Sequence, residues 1–111
     1  ISMRRFCFEG FLPKKKGRQT LLKQLAEEKE RTIVIYESPF RIEKTLRDIE
    51  TFMGKREVVI VREITKIYEE VLRGSTTELI EKLEKNPIKG EIVLLVEGQQ
   101  KGGNKYVDDT D

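Results

Sequence analysis

Thr32-Ile33-Val34-Ile35-Tyr36-Glu37-Ser38-Pro39-Phe40-Arg41 decides how the rest of this chain is read. Ile33 to Tyr36 are β-branched or aromatic without interruption, the composition of a strand buried on both faces. The chemistry then changes at once. Glu37 and Ser38 are polar, and Pro39 cannot continue a central strand. Ser38 is suited to cap a helix, with Pro39 in the first turn, where its missing N–H costs nothing. A buried strand therefore runs into a helix with a carboxylate and a hydroxyl at the joint. In open α/β sheets, such joints at the carboxyl ends of strands are where ligands bind. A plain strand-to-helix turn, with Glu37 merely solvated, satisfies the same local pattern.

Outward from that stretch the apolar spacing is helical on both sides. Leu21, Leu22, Leu25 and Ala26 form one stripe of a helix expected over Gln19 to Lys29. Phe40, Ile42, Leu46, Ile49 and Phe52 form the stripe of a second, from about Pro39 to Phe52, with Gly54 as terminator. Arg5 to Glu9 reads as a short strand broken by Gly10-Phe11-Leu12-Pro13. Glu57 to Arg62 is a second buried strand ending in charge, with Glu63, Thr65 and Lys66 beyond it. Tyr68 to Leu72 is expected to be extended. Ser75-Thr76-Thr77-Glu78 matches a capping box ahead of Leu79, Ile80 and Leu83, and Asn86-Pro87 closes that helix. Glu91 to Glu97 is a last apolar strand, closed by Gly98. The order β-α-β-α-β-β-α-β predicts a three-layer α/β domain with a mainly parallel or mixed sheet of five strands. The domain is expected over residues 1–98, with 99–111 as a flexible tail.

The 111 residues fit one domain, and 37% apolar content is ordinary for a soluble fold. No apolar run approaches the ~20 residues of a membrane span, and no leader is visible. Ile1 in place of Met fits a piece of a longer chain. One cysteine, Cys7, and no histidine leave no internal disulfide, zinc cluster or histidine-assisted nucleophile. The formal charge of +2 is unevenly spread. Arg4, Arg5, Lys14, Lys15, Lys16 and Arg18 face only Glu9 in the first 18 residues. That basic edge suits an anionic partner, or simply a solvated surface. No aromatics interleave with the lysines, so nucleic acid would be held by its phosphates. No glycine-rich nucleotide loop occurs.

Four motifs in order carry a resemblance: Phe8-Glu9-Gly10-Phe11-Leu12-Pro13, Tyr36-Glu37-Ser38-Pro39 with Arg41, Arg62-Glu63-Ile64-Thr65-Lys66, and Gly90-Glu91-Ile92-Val93-Leu94 leading to Val96-Glu97-Gly98. Over about Phe6 to Gly98 the chain resembles the carboxyl-terminal domain of the bacterial small-subunit rRNA (cytidine-2′-O-)-methyltransferases, of the tetrapyrrole (corrin/porphyrin) methylase superfamily. Phe40 stands where that family usually has histidine. The resemblance implies a cytoplasmic, homodimeric enzyme of two α/β domains holding S-adenosylmethionine between them, with no metal. The glycine-rich amino-terminal half is absent from this sequence. By the same match Tyr36, Glu37, Ser38, Arg62, Glu63, Thr65, Lys66 and Gly98 would line the cofactor cleft. Lys14, Lys15, Lys16, Arg18 and Arg41 are the candidates for RNA. Glu37 and Glu63 are the candidates for a general base toward a ribose 2′-hydroxyl. Methylation of a tetrapyrrole, and a binding module without chemistry, are the other readings.

Overall fold

The computed structural model describes residues 6–65 and 68–98. Within them the chain forms β1 (Phe6–Phe11), α1 (Arg18–Leu25), β2 (Thr32–Glu37), α2 (Ile42–Met53), β3 (Glu57–Thr65), β4 (Tyr68–Ser75), α3 (Thr76–Lys85) and β5 (Glu91–Val96). Element order and type follow the sequence reading. The tail from Gln99 lies outside the described residues.

The five strands make one sheet in the order β1-β2-β5-β3-β4. β1 and β2 are parallel, and β5 runs antiparallel to both β2 and β3. β3 and β4 form an antiparallel pair. The sheet is therefore mixed. The carboxyl ends of β1, β2 and β3 share one edge with the amino ends of β4 and β5.

Alternation along the strands fixes which side chains meet the helices. Ile33, Ile35, Val58, Ile60, Ile92, Leu94 and Val96 point one way and join Leu22, Leu46, Ile49, Leu79 and Leu83 in a single buried cluster. Each such aliphatic side chain contributes roughly 1.5–3 kcal/mol when fully buried. α2 packs between α1 and α3 over this face. The outer face is not covered by any described helix. There Phe8 and Phe11 are 61% and 71% exposed and set their ring edges against Tyr36, with centroids 5.2 and 5.5 Å away. The described residues thus form two layers where three were expected. Val34, Val61, Val93 and Leu95 face outward yet are apolar, so the strands read as buried on both sides.

Several local expectations are corrected. β1 does not stop at Glu9: a bulge between Phe8 and Gly10 carries the strand on to Phe11, with Gly10 at φ +67. α1 is shorter than its stripe, ending in turns after Leu25. Ser38 does not cap α2. Its Oγ accepts the N–H of Phe40 (3.0 Å), and its carbonyl accepts that of Arg41 (3.0 Å), which closes a tight turn before the helix starts. The Ser75 capping box forms in full: Ser75 Oγ accepts the Glu78 N–H (3.2 Å), and Glu78 Oε1 accepts the Ser75 N–H (2.8 Å).

Candidate functional site

The carboxyl edge of β2 and β3 gathers most of the ionic groups singled out above. Ile92 pairs with Glu37 on one side and Arg62 on the other, so these three residues form a row across the sheet. All three side chains belong to the helix-bearing face. Tyr36 and Glu63, one residue away in each strand, point to the outer face. The two candidate bases are therefore on opposite sides of the sheet.

Glu37 is 8% exposed and fully engaged. Its Oε1 accepts the N–H of Ser38 (2.8 Å). Its Oε2 accepts the hydroxyl of Thr45, a short contact. Thr45 is itself completely buried, and its Oγ1 accepts from Arg18 Nη2 (3.0 Å). Arg18 also donates from Nε to Asp48 Oδ2 (2.9 Å) and from Nη1 to the Pro13 carbonyl (3.0 Å). Arg18 was grouped with the RNA-facing loop by its position in sequence. At 5% exposure, with its guanidinium turned inward, it belongs to the interior. Lys14, Lys15 and Lys16 are exposed, in the loop from β1 to α1, on the same edge as Glu37 and Ser38.

Glu63 is exposed, opposite Glu91 in β5 and Glu69 in β4, so three carboxylates lie in a row on the outer face. Like charges so placed oppose one another. Gly90 reaches φ +91 beside it, and a Cβ there would lie 2.8 Å from the Glu63 carbonyl oxygen. Arg62 is half-buried. It forms an ion pair with Glu70 (2.5 Å), and its Nη1 donates to the Lys89 carbonyl (3.3 Å). A groove of about 450 Å³ opens beside it, lined by Arg62, Glu70, Leu72, Lys82, Leu83 and Asn86 among others. Two buried guanidinium nitrogens on this edge, Arg62 Nε and Arg41 Nη2, have no hydrogen-bond partner among the described residues. Buried donors are rarely left this way unless a ligand or water completes them.

The structure does not bring Gly98 to this edge. Gly98 follows the carboxyl end of β5, beyond the Val96–Ile33 pair, which is itself roughly 13 Å along the strand from Glu37. A Cβ there would lie 2.9 Å from the Arg31 carbonyl oxygen and from the Lys29 carbonyl carbon, so the chain's own backbone explains the glycine. Lys66 lies outside the described residues; Thr65 is placed by its backbone pairing with Tyr68.

Sequence reasoning missed Thr45 and Asp48. Thr45 sits on the apolar stripe of α2 between Ile42 and Ile49, and a polar residue at a core position was the available signal. Among the described residues no group of three or more His, Cys, Asp or Glu side chains is placed to hold a metal ion. No described helix is long and apolar enough to cross a membrane.

The mixed five-stranded sheet, with its three described helices, is a fold shared with part of a solved methyltransferase. Superposed on the X-ray structure of a cobalt precorrin-4 methyltransferase, a cobalamin biosynthetic enzyme, it gives a TM-score of 0.59 over 87% of this chain and 42% of the other, at 17% identity. No family model matches the chain. Its sequence relatives are more specific. It is 48% identical over 96 residues to the ribosomal RNA small subunit methyltransferase I of Thermotoga maritima, covering 86% of this chain and 43% of that protein. The enzyme of the same name from Pasteurella multocida is 50% identical over 105 residues, covering 91% and 37%, and that of Streptococcus pyogenes serotype M1 45% identical over 93 residues, covering 84% and 32%. Over most of its length the chain is thus similar to one segment of the ribosomal RNA small subunit methyltransferase I proteins. It spans less than half the length of the curated relatives it matches.

Proposed function

We propose that this chain is one α/β domain of an S-adenosylmethionine-dependent methyltransferase that methylates the 2′-hydroxyl of a cytidine ribose in small-subunit rRNA. The observation that carries the reading is the joint at Glu37-Ser38. It is a buried strand end, rigidly hydrogen-bonded, on the same edge as an exposed lysine loop and two orphaned guanidinium nitrogens. The parallel ladder of β1 on β2 ends at Phe11–Tyr36, one residue before the joint. Tyr36 and the hydroxyl proton of Ser38, close together at the end of β2, are the polar groups offered to one end of the cofactor. When bound, the cofactor supplies an electrophilic methyl group on a sulfonium. The chain's own part is to position, and positioning alone can remove several kcal/mol of a barrier. Glu37 has both carboxylate oxygens engaged, so it holds the turn rather than taking a proton. Lys14, Lys15 and Lys16 hold rRNA phosphates. The precorrin enzyme supports the fold alone, whereas the relatives at 45–50% identity carry the rRNA name, which favours RNA over a tetrapyrrole as the substrate. A cytoplasmic homodimer is proposed for the intact enzyme on the strength of the family.

The test is the intact enzyme with Ser38→Leu, which fills the joint. Cofactor affinity by calorimetry is expected to fall at least tenfold, a difference of about 1.4 kcal/mol. Affinity for unmodified small subunits should be unchanged. A variant that keeps its cofactor affinity and loses only RNA would sink the assignment.

A further inference from the structure

We propose that Thr45 and Arg18 are positioning residues for the cofactor side of the cleft, a role that rests on the reading of Glu37-Ser38 as part of the S-adenosylmethionine site. The line of contacts has one direction. Arg18 Nη2 donates to Thr45 Oγ1 (3.0 Å), Thr45 gives its only hydroxyl proton to Glu37 Oε2, and Glu37 Oε1 accepts the Ser38 N–H (2.8 Å). Thr45 is at 0% exposure, so water does not stand in for its hydroxyl. The carboxylate is thereby held in one orientation, and with it the peptide that leads out of β2. That peptide sets how the strand end presents its backbone to a ligand. A buried carboxylate that lost the Thr45 proton would turn toward any other donor, and the Ser38 N–H would lose its fixed partner.

Arg18 extends the line to the lysine loop. Its Nη1 holds the Pro13 carbonyl (3.0 Å), and its backbone N–H donates to the Lys15 carbonyl (3.1 Å). One guanidinium therefore anchors both the loop assigned to phosphates and the joint assigned to the cofactor. Asp48, 2.9 Å from Arg18 Nε, balances its charge, so removing the Thr45 hydroxyl does not strand an unpaired cation.

Thr45→Val in the intact enzyme tests this, with Thr45→Ser as the conservative rescue. The expected result is a rise of about tenfold in both Kd and KM for S-adenosylmethionine, the size of one buried hydrogen bond. The kcat should change little. Exchange of the Ser38 amide should accelerate while that of Ile35 does not, and Thr45→Ser should restore all of these. Arg18→Lys, which keeps the charge but not the fork, should give the same direction and stands in if Thr45→Val does not fold. Faster Ser38 exchange with unchanged cofactor affinity would overturn the positioning role while leaving the proposed function intact. So would a Glu37→Gln enzyme that loses kcat by orders of magnitude at normal cofactor affinity, because Glu37 would then be a base. An unsubstituted enzyme that binds no S-adenosylmethionine would overturn the proposed function itself, and this role with it.

Discussion

Arg18 and Arg56 sit at opposite edges of one sheet, 5% and 6% exposed, and they hold different things. Among the described residues the Arg56 guanidinium donates to backbone carbonyls alone: Met53 (3.2 Å), Glu97 (3.0 Å) and Ala26 (3.0 Å). Met53 ends α2 and Ala26 follows α1, so its charge meets the negative ends of two helix dipoles. Arg18 instead reaches a carboxylate, a hydroxyl and one carbonyl, and leads through Thr45 to Glu37. The surroundings differ in the same way. At the Arg56 edge, Glu50 accepts from Thr76 (2.9 Å) and from Thr77, Glu78 completes a capping box, and Glu28 accepts from Arg31 (2.7 Å). At the Arg18 edge, Arg41 Nη2 and Arg62 Nε have no partner among the described residues. One edge closes on itself through its own hydrogen bonds; the other is the edge proposed above for a ligand.

The largest effect that can break this contrast is the loss of Arg56. Arg56→Met keeps much of the stem's volume but leaves three carbonyls without their donor. A loss of about 3 kcal/mol is expected in urea denaturation, as for a broken buried polar network. Cofactor affinity of the folded enzyme should not move. A loss below about 1 kcal/mol would mean that the Arg56 edge is not the stabilising one.

Acid should find the same edge. Glu28 is held at about 2, against an ordinary 4.5, chiefly by its hydrogen bond from Arg31, with the Arg31 and Glu30 N–H groups adding to it. Glu50 is lowered by Thr77 and Thr76, and Glu78 by Ser75. A folded-state value below the unfolded one means stability that is present above pH 4.5 and is lost as pH falls toward 2. For Glu28 this is about 1 kcal/mol, reduced from the full linkage value because Arg31 is half-exposed and water screens the pair. Glu28→Gln should flatten the fall in urea midpoint between pH 4.5 and pH 2.5 relative to the unsubstituted chain. Parallel pH curves for the two would contradict the placement of acid sensitivity at this edge.

The two edges were not equally legible in the sequence. The Ser75 capping box is local and could be read directly, as could the strand at Ile33 and the stripe of α2. Arg18 and Gly98 misled because their partners are remote. Arg18 looks like part of a basic loop until Asp48, 30 residues on, and Thr45, 27 on, are brought to it. Gly98 looks like a ligand contact until the Lys29 and Arg31 backbone is seen against it. Ser38 has the chemistry of a cap, but its hydroxyl is spent on the Phe40 N–H two residues on. Apolar residues on the outer face hid the fact that the described helices all lie on one side, since a half-covered apolar strand and a fully covered one have the same composition.

The smallest effect on the fold should come from the lysine loop, and it sharpens the contrast because the loop shares an edge, and an anchor, with the joint proposed for the cofactor. Lys14, Lys15 and Lys16 are exposed, and the described contacts of this loop with the interior run through the Pro13 and Lys15 carbonyls, which substitution of lysine side chains leaves in place. Replacing all three by alanine should therefore shift the urea midpoint by less than about 0.5 kcal/mol. Binding to rRNA should weaken similarly across sequences, since lysine on phosphate reads no base. The log–log dependence of affinity on salt should flatten by up to about three units, one for each lysine that releases a counterion. Cofactor affinity should stay constant, because Arg18 and Thr45 still hold Glu37. Filter binding across a salt series and calorimetry on the same preparations decide between two outcomes. A flattened slope with unchanged cofactor affinity keeps the loop as a phosphate contact that merely shares its anchor with the joint. A cofactor affinity that falls with the lysines would mean that the loop itself, and not the buried line from Arg18, sets the shape of the strand end.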